Sequence, residues 1–473
     1  MHSSTKRKVI MRTVPVIFLA ITFSLILSSQ KDSTGKERKQ DPRGNNPIAG
    51  KVNPFIKKMV AKVKRPESEV SDFLAEGQQI FRFDTFGDEE FWGDELQLHK
   101  VIETVTPRQA LELGLKVDEE ALPSPIIRMI RNGEFDLDDP NNTLLLLKQN
   151  AVVGVTGFFN NNGSLKSIGF QCALCHSTVN NSLTSGIGER LDGWANHDLN
   201  VGAIIALAPN LNVIANILNT NVDTVKNVLN AWGPGKFDAE LILDGKGFAP
   251  DGSSAATLIP NAFDQAGFNL HTWTGAWGTV TYWNAFVANI ELHGKGTFFD
   301  PRMSDSSKFP VAAREGFGNI QTKPEEDLIT SKLPALHFYQ LAIPAPEPIP
   351  GTHFNQDAAE RGGELFVGKA ECNNCHVVPL FTEPGWNLHE PDEIGIDSFQ
   401  ADRAPDNKYK TMNLEGLFIR ELGIFMKEEN KGRFFHDGRF ETLKDVVEHY
   451  NTALNLGLSN QEMNDLVEYL KSL

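Results

Sequence analysis

No glycine-rich phosphate-cradling loop and no nucleophile triad stand out along these 473 residues, so neither nucleotide chemistry nor triad hydrolysis has a motif to rest on. Basic charge is short everywhere except at the start. Residues 1–65 carry 15 Lys or Arg against 3 Asp or Glu, and the remaining 408 carry 30 against 58, a net of −28. An acidic body of that kind repels nucleic acid and steers basic proteins towards itself, with plain solubility as the competing explanation. Strand signal is sparse, which points to a mainly α chain. Cysteine is scarcest of the residues that carry chemistry, at four.

All four cysteines fall in two C-x-x-C-H pentads, Cys172-Ala-Leu-Cys175-His176 and Cys372-Asn-Asn-Cys375-His376. The alternatives are a zinc knot, a redox dithiol or disulfides. With histidine at 12 of 473 positions, its arrival after both C-x-x-C units by chance has a probability of roughly 10⁻³, and a zinc site does not need it there. Two thiols that form thioethers with one haem, followed by the proximal iron ligand, account for the pattern. The expectation is two covalent haem c groups, with His176 and His376 as iron ligands.

The length suits two or three domains, and a composition of 40 % hydrophobic and 22 % charged residues is ordinary for a globular protein. Lys6, Arg7, Lys8 and Arg12 precede an apolar run from Val14 to Leu27, the layout of an export signal or N-terminal anchor over 1–30. No cysteine follows it, which excludes a lipoprotein anchor. Export to the periplasm, with a membrane tether if the signal is retained, agrees with haem attachment outside the cytoplasm. Residues 31–67 are basic and broken by prolines, a linker. The run Ile343-Pro-Ala-Pro-Glu-Pro-Ile-Pro-Gly351 reads as an extended interdomain segment. Domains are therefore expected at 68–345 and 346–473. In the second, a helix over Ala358 to Lys369 precedes the pentad, and a capping box at Ser459 and Glu462 opens a last helix carrying Tyr469. Gly77-Gln-Gln-Ile80-Phe81 repeats the spacing of Gly362 to Phe366, but lies 95 residues before its first cysteine rather than 10. Asn221 to Trp232 and Pro310 to Phe317 have helical character, whereas 200–215 and 255–300 read as loops.

The helix, C-x-x-C-H turn and last helix of residues 354–473 resemble the class I cytochrome c fold. The run Arg433-Phe-Phe-His436-Asp-Gly438 through Val446-Val-Glu-His449-Tyr450 resembles the end of the bacterial di-haem cytochrome c peroxidases. It is also similar to the methylamine-utilisation di-haem enzyme. The resemblance implies two cytochrome c-like haem domains, the N-terminal one enlarged by a long insertion. It also implies extracytoplasmic peroxidase-like oxidoreductase activity, with electrons relayed between the haems from a small basic redox protein and peroxide or oxygen as substrate. The overall layout is similar to rubber-oxygenase-like dioxygenases as well. A carrier with two six-coordinate haems and no catalysis is a further alternative.

The distal ligands are open. On the C-terminal haem the resemblance favours Tyr450, on the inward stripe of Leu443, Val446 and Val447, with His449 at its flank. His436 matches the rubber-oxygenase pattern, and Met412 and Met426 are the available thioethers. Around the N-terminal haem, His197, His271, Glu291 and His293 lie among Trp273, Trp277, Tyr282 and Trp283. Acid–base groups among aromatics suit a reactive haem pocket, which makes Glu291, His271 and His293 the catalytic candidates. Related peroxidases keep a carboxylate and a tryptophan there. Asp136, Asp138, Asp139 and Asn141 offer oxygen donors for calcium, but they lack the EF-hand glycine and glutamate, so a solvated acidic loop is the stronger reading.

Overall fold

The computed structural model describes residues 67–473. The export segment at 1–30 and all but the last residue of the 31–67 linker lie outside the described residues. The chain enters through helix α1 (Glu67–Phe83) and reaches a hairpin of β1 (Val155–Phe159) and β2 (Leu165–Phe170), paired antiparallel from Val155↔Phe170. One helical turn, α2 (Ala173–His176), carries the first pentad. Helices α3 (Val201–Ala206), α4 (Val222–Trp232), α5 (Val280–Phe286) and α6 (Leu333–Ala342) follow. The rest is α7 (Gln356–Val367), α8 (Phe399–Arg403), α9 (Leu417–Leu422), α10 (Leu443–Ala453) and α11 (Asn460–Lys471). Among the described residues strands occur only as two-stranded ladders, so the architecture is mainly helical.

Local chemistry explains several of the helix starts. Ser459 and Glu462 form the expected capping box on α11, Thr442 and Asp445 form one on α10, and Asn221 caps α4 through the amide of Thr224. The expectation of loops at 200–215 and 255–300 holds only in part. Asn200 caps α3 through the amide of Ala203, and residues 212–217 and 280–286 are helical too. Their helices are short and surrounded by Gly and Asn, so composition averaged over the window conceals them.

Two helix pairs are built by one device. A Cβ on Gly77 of α1 would lie 2.1 Å from the carbonyl oxygen of Ala335 on α6, and one on Gly362 of α7 would lie 2.0 Å from that of Asp465 on α11. Only glycine lets the backbones approach that closely. Four residues on, Phe81 meets Tyr339 at 5.6 Å between ring centres, and Phe366 meets Tyr469 at 5.1 Å. Both phenylalanines are fully buried, each worth about 1.5–3 kcal/mol of transfer free energy.

The proline-rich segment at 343–349 is extended, yet it is docked rather than free. Ile343 is buried against Phe263, Phe418 and Ile419, and its carbonyl accepts from the amide of Asp264 at 2.9 Å. Residues 68–473 cluster as one compact unit. Asp198 ties distant segments of it together. Its carboxylate takes Lys116 at 2.6 Å, the side chain of Asn430 at 2.8 Å and the amide of Lys427 at 2.9 Å.

Candidate functional site

Each pentad opens on a cavity. Cavity 1, of about 180 Å³, is lined by Cys172, Cys175 and His176, and by Trp92, Trp273, Trp277 and Trp283. Cavity 2, of about 590 Å³, is lined by Cys372, Cys375 and His376, and by Tyr450, His436 and Met412. The larger volume lies within the usual span of ligand pockets, roughly 300–1,000 Å³; the smaller is crowded by its four indoles. Five residues border both cavities: Pro260, Asn261, Gln265, His271 and Trp273. The irregular segment 260–273 is thus a shared wall.

The two pentad histidines are held alike. The Nδ1 of His176 bonds to the carbonyl of Pro260 at 3.2 Å, and that of His376 to the carbonyl of Phe381 at 2.9 Å. A carbonyl partner makes Nδ1 the protonated nitrogen and leaves the Nε2 lone pair for a metal, the arrangement a ligating histidine needs. Burial lowers both imidazoles to about 4, which keeps them neutral and able to ligate. All four cysteines are free thiols, and burial raises each of them. Among the described residues no group of three or more His, Cys, Asp or Glu is arranged to hold a metal ion. A zinc knot therefore lacks its donors, while a haem fits the thiol pairs, the free imidazole nitrogens and the apolar walls.

Two π-helical turns shape cavity 1. One spans Glu90–Glu95 and presents Trp92; the other, Val287–Glu291, continues α5 and ends on Glu291. The indole of Trp92 donates to the carbonyl of Leu292 at 3.0 Å, locking the two turns together. Such turns shift the side-chain register by one residue and recur at functional sites. Glu291 lines the cavity, is 8 % exposed, and its Oε1 has no partner among the described residues. Burial pushes this carboxyl well above its ordinary range, and Glu240 and Asp238 push it further. Glu240, held by Gln400 at 3.0 Å, lines the same cavity.

His271 donates from Nε2 to the carbonyl of Gln265 at 3.1 Å, which leaves a buried, unpartnered Nδ1 at the shared wall. The indole of Trp273 donates to the carbonyl of Leu258 at 2.7 Å. His293 stacks on Phe91 at 3.6 Å between ring centres and lines neither cavity, and the same holds for His197, whose Nε2 is buried without a partner. In cavity 2, Tyr450 and His436 both border the free space, and among the described residues neither the phenol nor the imidazole makes a hydrogen bond. Burial raises the phenol, and the nearby Cys375 and Cys372 add to the effect. Met426 packs with Phe263 and Phe418 away from the cavity, and His449 bonds the carbonyl of Ile394 at 2.9 Å. Of the residues offered for calcium, Asp138 pairs with Arg108 at 2.7 Å, Asp136 accepts from the amide of Asp138, and Asp139 caps a helix at Pro140.

Sequence reasoning did not single out Gln265, Glu240, Lys410 or Arg420, all of which line a cavity. No periodicity marks them, because they reach the cavities from irregular segments or from very short helices.

Comparison with known proteins adds an independent line. The cytochrome-c peroxidase IdrP1 of Denitromonas iodatirespirans is 28 % identical over 149 residues, covering 24 % of this chain and 40 % of that protein. The methylamine utilization protein MauG of Methylorubrum extorquens is 28 % identical over 131 residues, 24 % of this chain and 34 % of its own length. Over those stretches this chain is similar to the di-haem cytochrome c proteins. MauG of Methylophilus methylotrophus is 27 % identical over 25 % of this chain and 37 % of its own length. The chain thus spans well under half the length of each curated protein it matches. No family model matches. The solved structure of Kuenenia stuttgartiensis hydrazine synthase pressurized with xenon has 17 % identity and a TM-score of 0.26, over 48 % of this chain and 76 % of that one; so slight a likeness carries no argument. Among the described residues no helix is long and apolar enough to cross a membrane.

Proposed function

We propose that this protein is an extracytoplasmic di-haem c-type oxidoreductase with peroxidase-like chemistry, and that it is built from two cytochrome c-like domains at 68–345 and 346–473. The domain reading is supported by the repeated Gly–Phe against Tyr crossing of α1 with α6 and of α7 with α11. One haem c at each pentad would supply the redox-active iron. His176 and His376 would hold the iron through Nε2, and the cysteine thiols would anchor the ring covalently.

The observation that carries the catalytic reading is the unpartnered carboxyl of Glu291, buried in the cavity of the first pentad. A carrier needs no such group, since an unsatisfied buried carboxyl is destabilising and is retained where it works. Glu291 takes the proton of an incoming peroxide and returns it to the departing oxygen. The indoles of Trp92, Trp277 and Trp283 exclude bulk water. Trp273, which borders both cavities, is the route for an electron between them, and the acidic body draws a basic donor protein.

The deciding experiment is absorption and paramagnetic resonance spectroscopy of the oxidised and half-reduced holoprotein with and without peroxide. A high-spin component that peroxide alters is expected from the N-terminal site. Two low-spin irons indifferent to peroxide in both states would overturn the peroxidase reading in favour of a carrier. Glu291→Gln is expected to lower kcat/KM for peroxide by about 10²-fold or more, the usual weight of a positioned acid–base group. Because the base must be ionised, wild-type kcat/KM should rise with pH through a value above the ordinary carboxylate range, and the variant should lose that limb.

A further inference from the structure

Cavity 2 holds a cation that no acid answers among the described residues. Arg420 lies on α9, borders the cavity and is 7 % exposed. Its Nε donates to the carbonyl of Gly432 at 3.4 Å, its Nη2 to the carbonyl of Arg433, and its guanidinium sits 4.9 Å from the ring centre of Phe434. These are neutral partners. Its neighbour Arg433 spends its own donors on the carbonyls of Pro234 at 2.7 Å, His197 at 3.1 Å and Asn430 at 3.2 Å. The acid that acts on Arg433 is Asp198, which Lys116 already holds at 2.6 Å. Burial, and then the charge of Arg433, lower Arg420 to about 9.

Elsewhere the chain does answer a buried guanidinium. Arg403 is equally enclosed, and carboxylates of Asp244 at 2.8 Å and Asp238 at 2.9 Å pair with it. Lys410, the other buried cation bordering cavity 2, has spent all three of its donors, on the Thr382 hydroxyl at 2.6 Å and the carbonyls of Thr411 and Glu383 at 2.8 and 3.1 Å. Arg420 alone of these three lacks both an anion and a full set of partners. A buried charge is tolerated when paired, and arginine is the side chain whose planar fork matches a carboxylate.

A porphyrin attached through its vinyl groups at Cys372 and Cys375 carries two propionates at its other edge. We propose that Arg420 is the binding site for a propionate carboxylate of this C-terminal haem. The assignment rests on the reading that the second pentad holds haem. The other ionisable groups on the cavity wall are Glu371, Glu393 and Glu415, with Lys410, His271, His376, His389, His436, Tyr409, Tyr450 and the two pentad cysteines. None of them supplies Arg420 with a counter-ion. Paired with Arg420, the propionate stays ionised, and the potential of that haem is shielded from its titration.

The test uses the full-length holoprotein, with covalent haem counted by intact mass and both midpoint potentials measured between about pH 6 and 8, where a carboxyl deprived of its cation and buried can titrate. Arg420→Gln is expected to keep both haems. One potential should fall, because a positive charge that favours the reduced iron is gone, and that potential should become more pH-dependent than in wild type. Arg420→Lys, which keeps the charge but not the fork, should show a smaller change in the same direction, and it serves alone if the glutamine variant does not accumulate. Two attached haems with wild-type potentials and pH profiles overturn the assignment. A wild-type potential that responds to added chloride or phosphate, a response lost in the variant, would mean a free anion occupies the site and would also overturn it. A wild type without haem at Cys372 and Cys375 would instead sink the underlying reading.

Discussion

Tyr450 and His436 border the same cavity, and neither is committed to a protein partner, so their side-chain chemistry separates them. A phenolate is a hard anionic donor that favours ferric iron, and an imidazole is a weaker one. The helix stripe of α10 and the resemblance both favour Tyr450 as the distal ligand of the haem proposed at the second pentad. Tyr450→Phe keeps the ring and its packing and removes the oxygen. It is expected to change the spin state at one haem, with circular dichroism unaltered. If both haem spectra survive that change and His436→Ala alters one of them, the tyrosine assignment fails. Met412 is then next, because it borders the cavity and Met426 does not.

At the scale of elements, the repeated helix crossing makes a prediction about stability. Alanine is the better helix former by about 1 kcal/mol, yet a Cβ at Gly77 or Gly362 would press on a backbone carbonyl that cannot yield. Overpacking of this kind costs about 1–3 kcal/mol. Gly77→Ala and Gly362→Ala are both expected to lower the thermal midpoint, whereas Gly385→Ala, with nothing within 4 Å of its new Cβ, should leave it unchanged. Equal stability in all three would remove the close crossing as a structural device. The π-helical turn at Val287–Glu291 is the matching device for chemistry. It ends on the carboxyl that lines cavity 1, whereas His293, two residues further on, is turned out to stack on Phe91.

Over the whole molecule, the Asp198 junction shows how the long unit is held. Burial alone would raise this carboxyl, but Lys116, Asn430 and the amide of Lys427 outweigh it and hold it below the usual range. Asp198→Ala leaves Lys116 buried without its anion. A loss of about 3–5 kcal/mol is expected in denaturant unfolding, and a loss below about 1 kcal/mol would show that the junction is dispensable. The long-range field is testable too. If the net of −28 outside the first 65 residues steers a basic donor, reduction by a small cationic cytochrome should slow about 10-fold or more between low and high salt. A salt-independent rate would assign the charge to solubility alone.

The two pentads stood out in sequence because thioether attachment and iron ligation would need fixed residue types at fixed spacing, and the structure opens each of them on a cavity. The capping box of α11 was legible because a cap is local, and so was helix α4. The glycine at 77 stood out by its spacing from Phe81, but sequence could not say what it meets. The Ala335 carbonyl lies more than 250 residues away, and a close approach is a property of two backbones. Glu291 and His271 were visible only as ionisable groups among aromatics. Tertiary structure separates them from His293 and His197, because lining a cavity depends on where irregular segments run. It also makes Trp273, one tryptophan among seven, the one that borders both cavities. Arg420 had no sequence signal at all. A missing counter-ion is visible only when every neighbour has been placed, since it is the folded surroundings that decide whether a charge is answered.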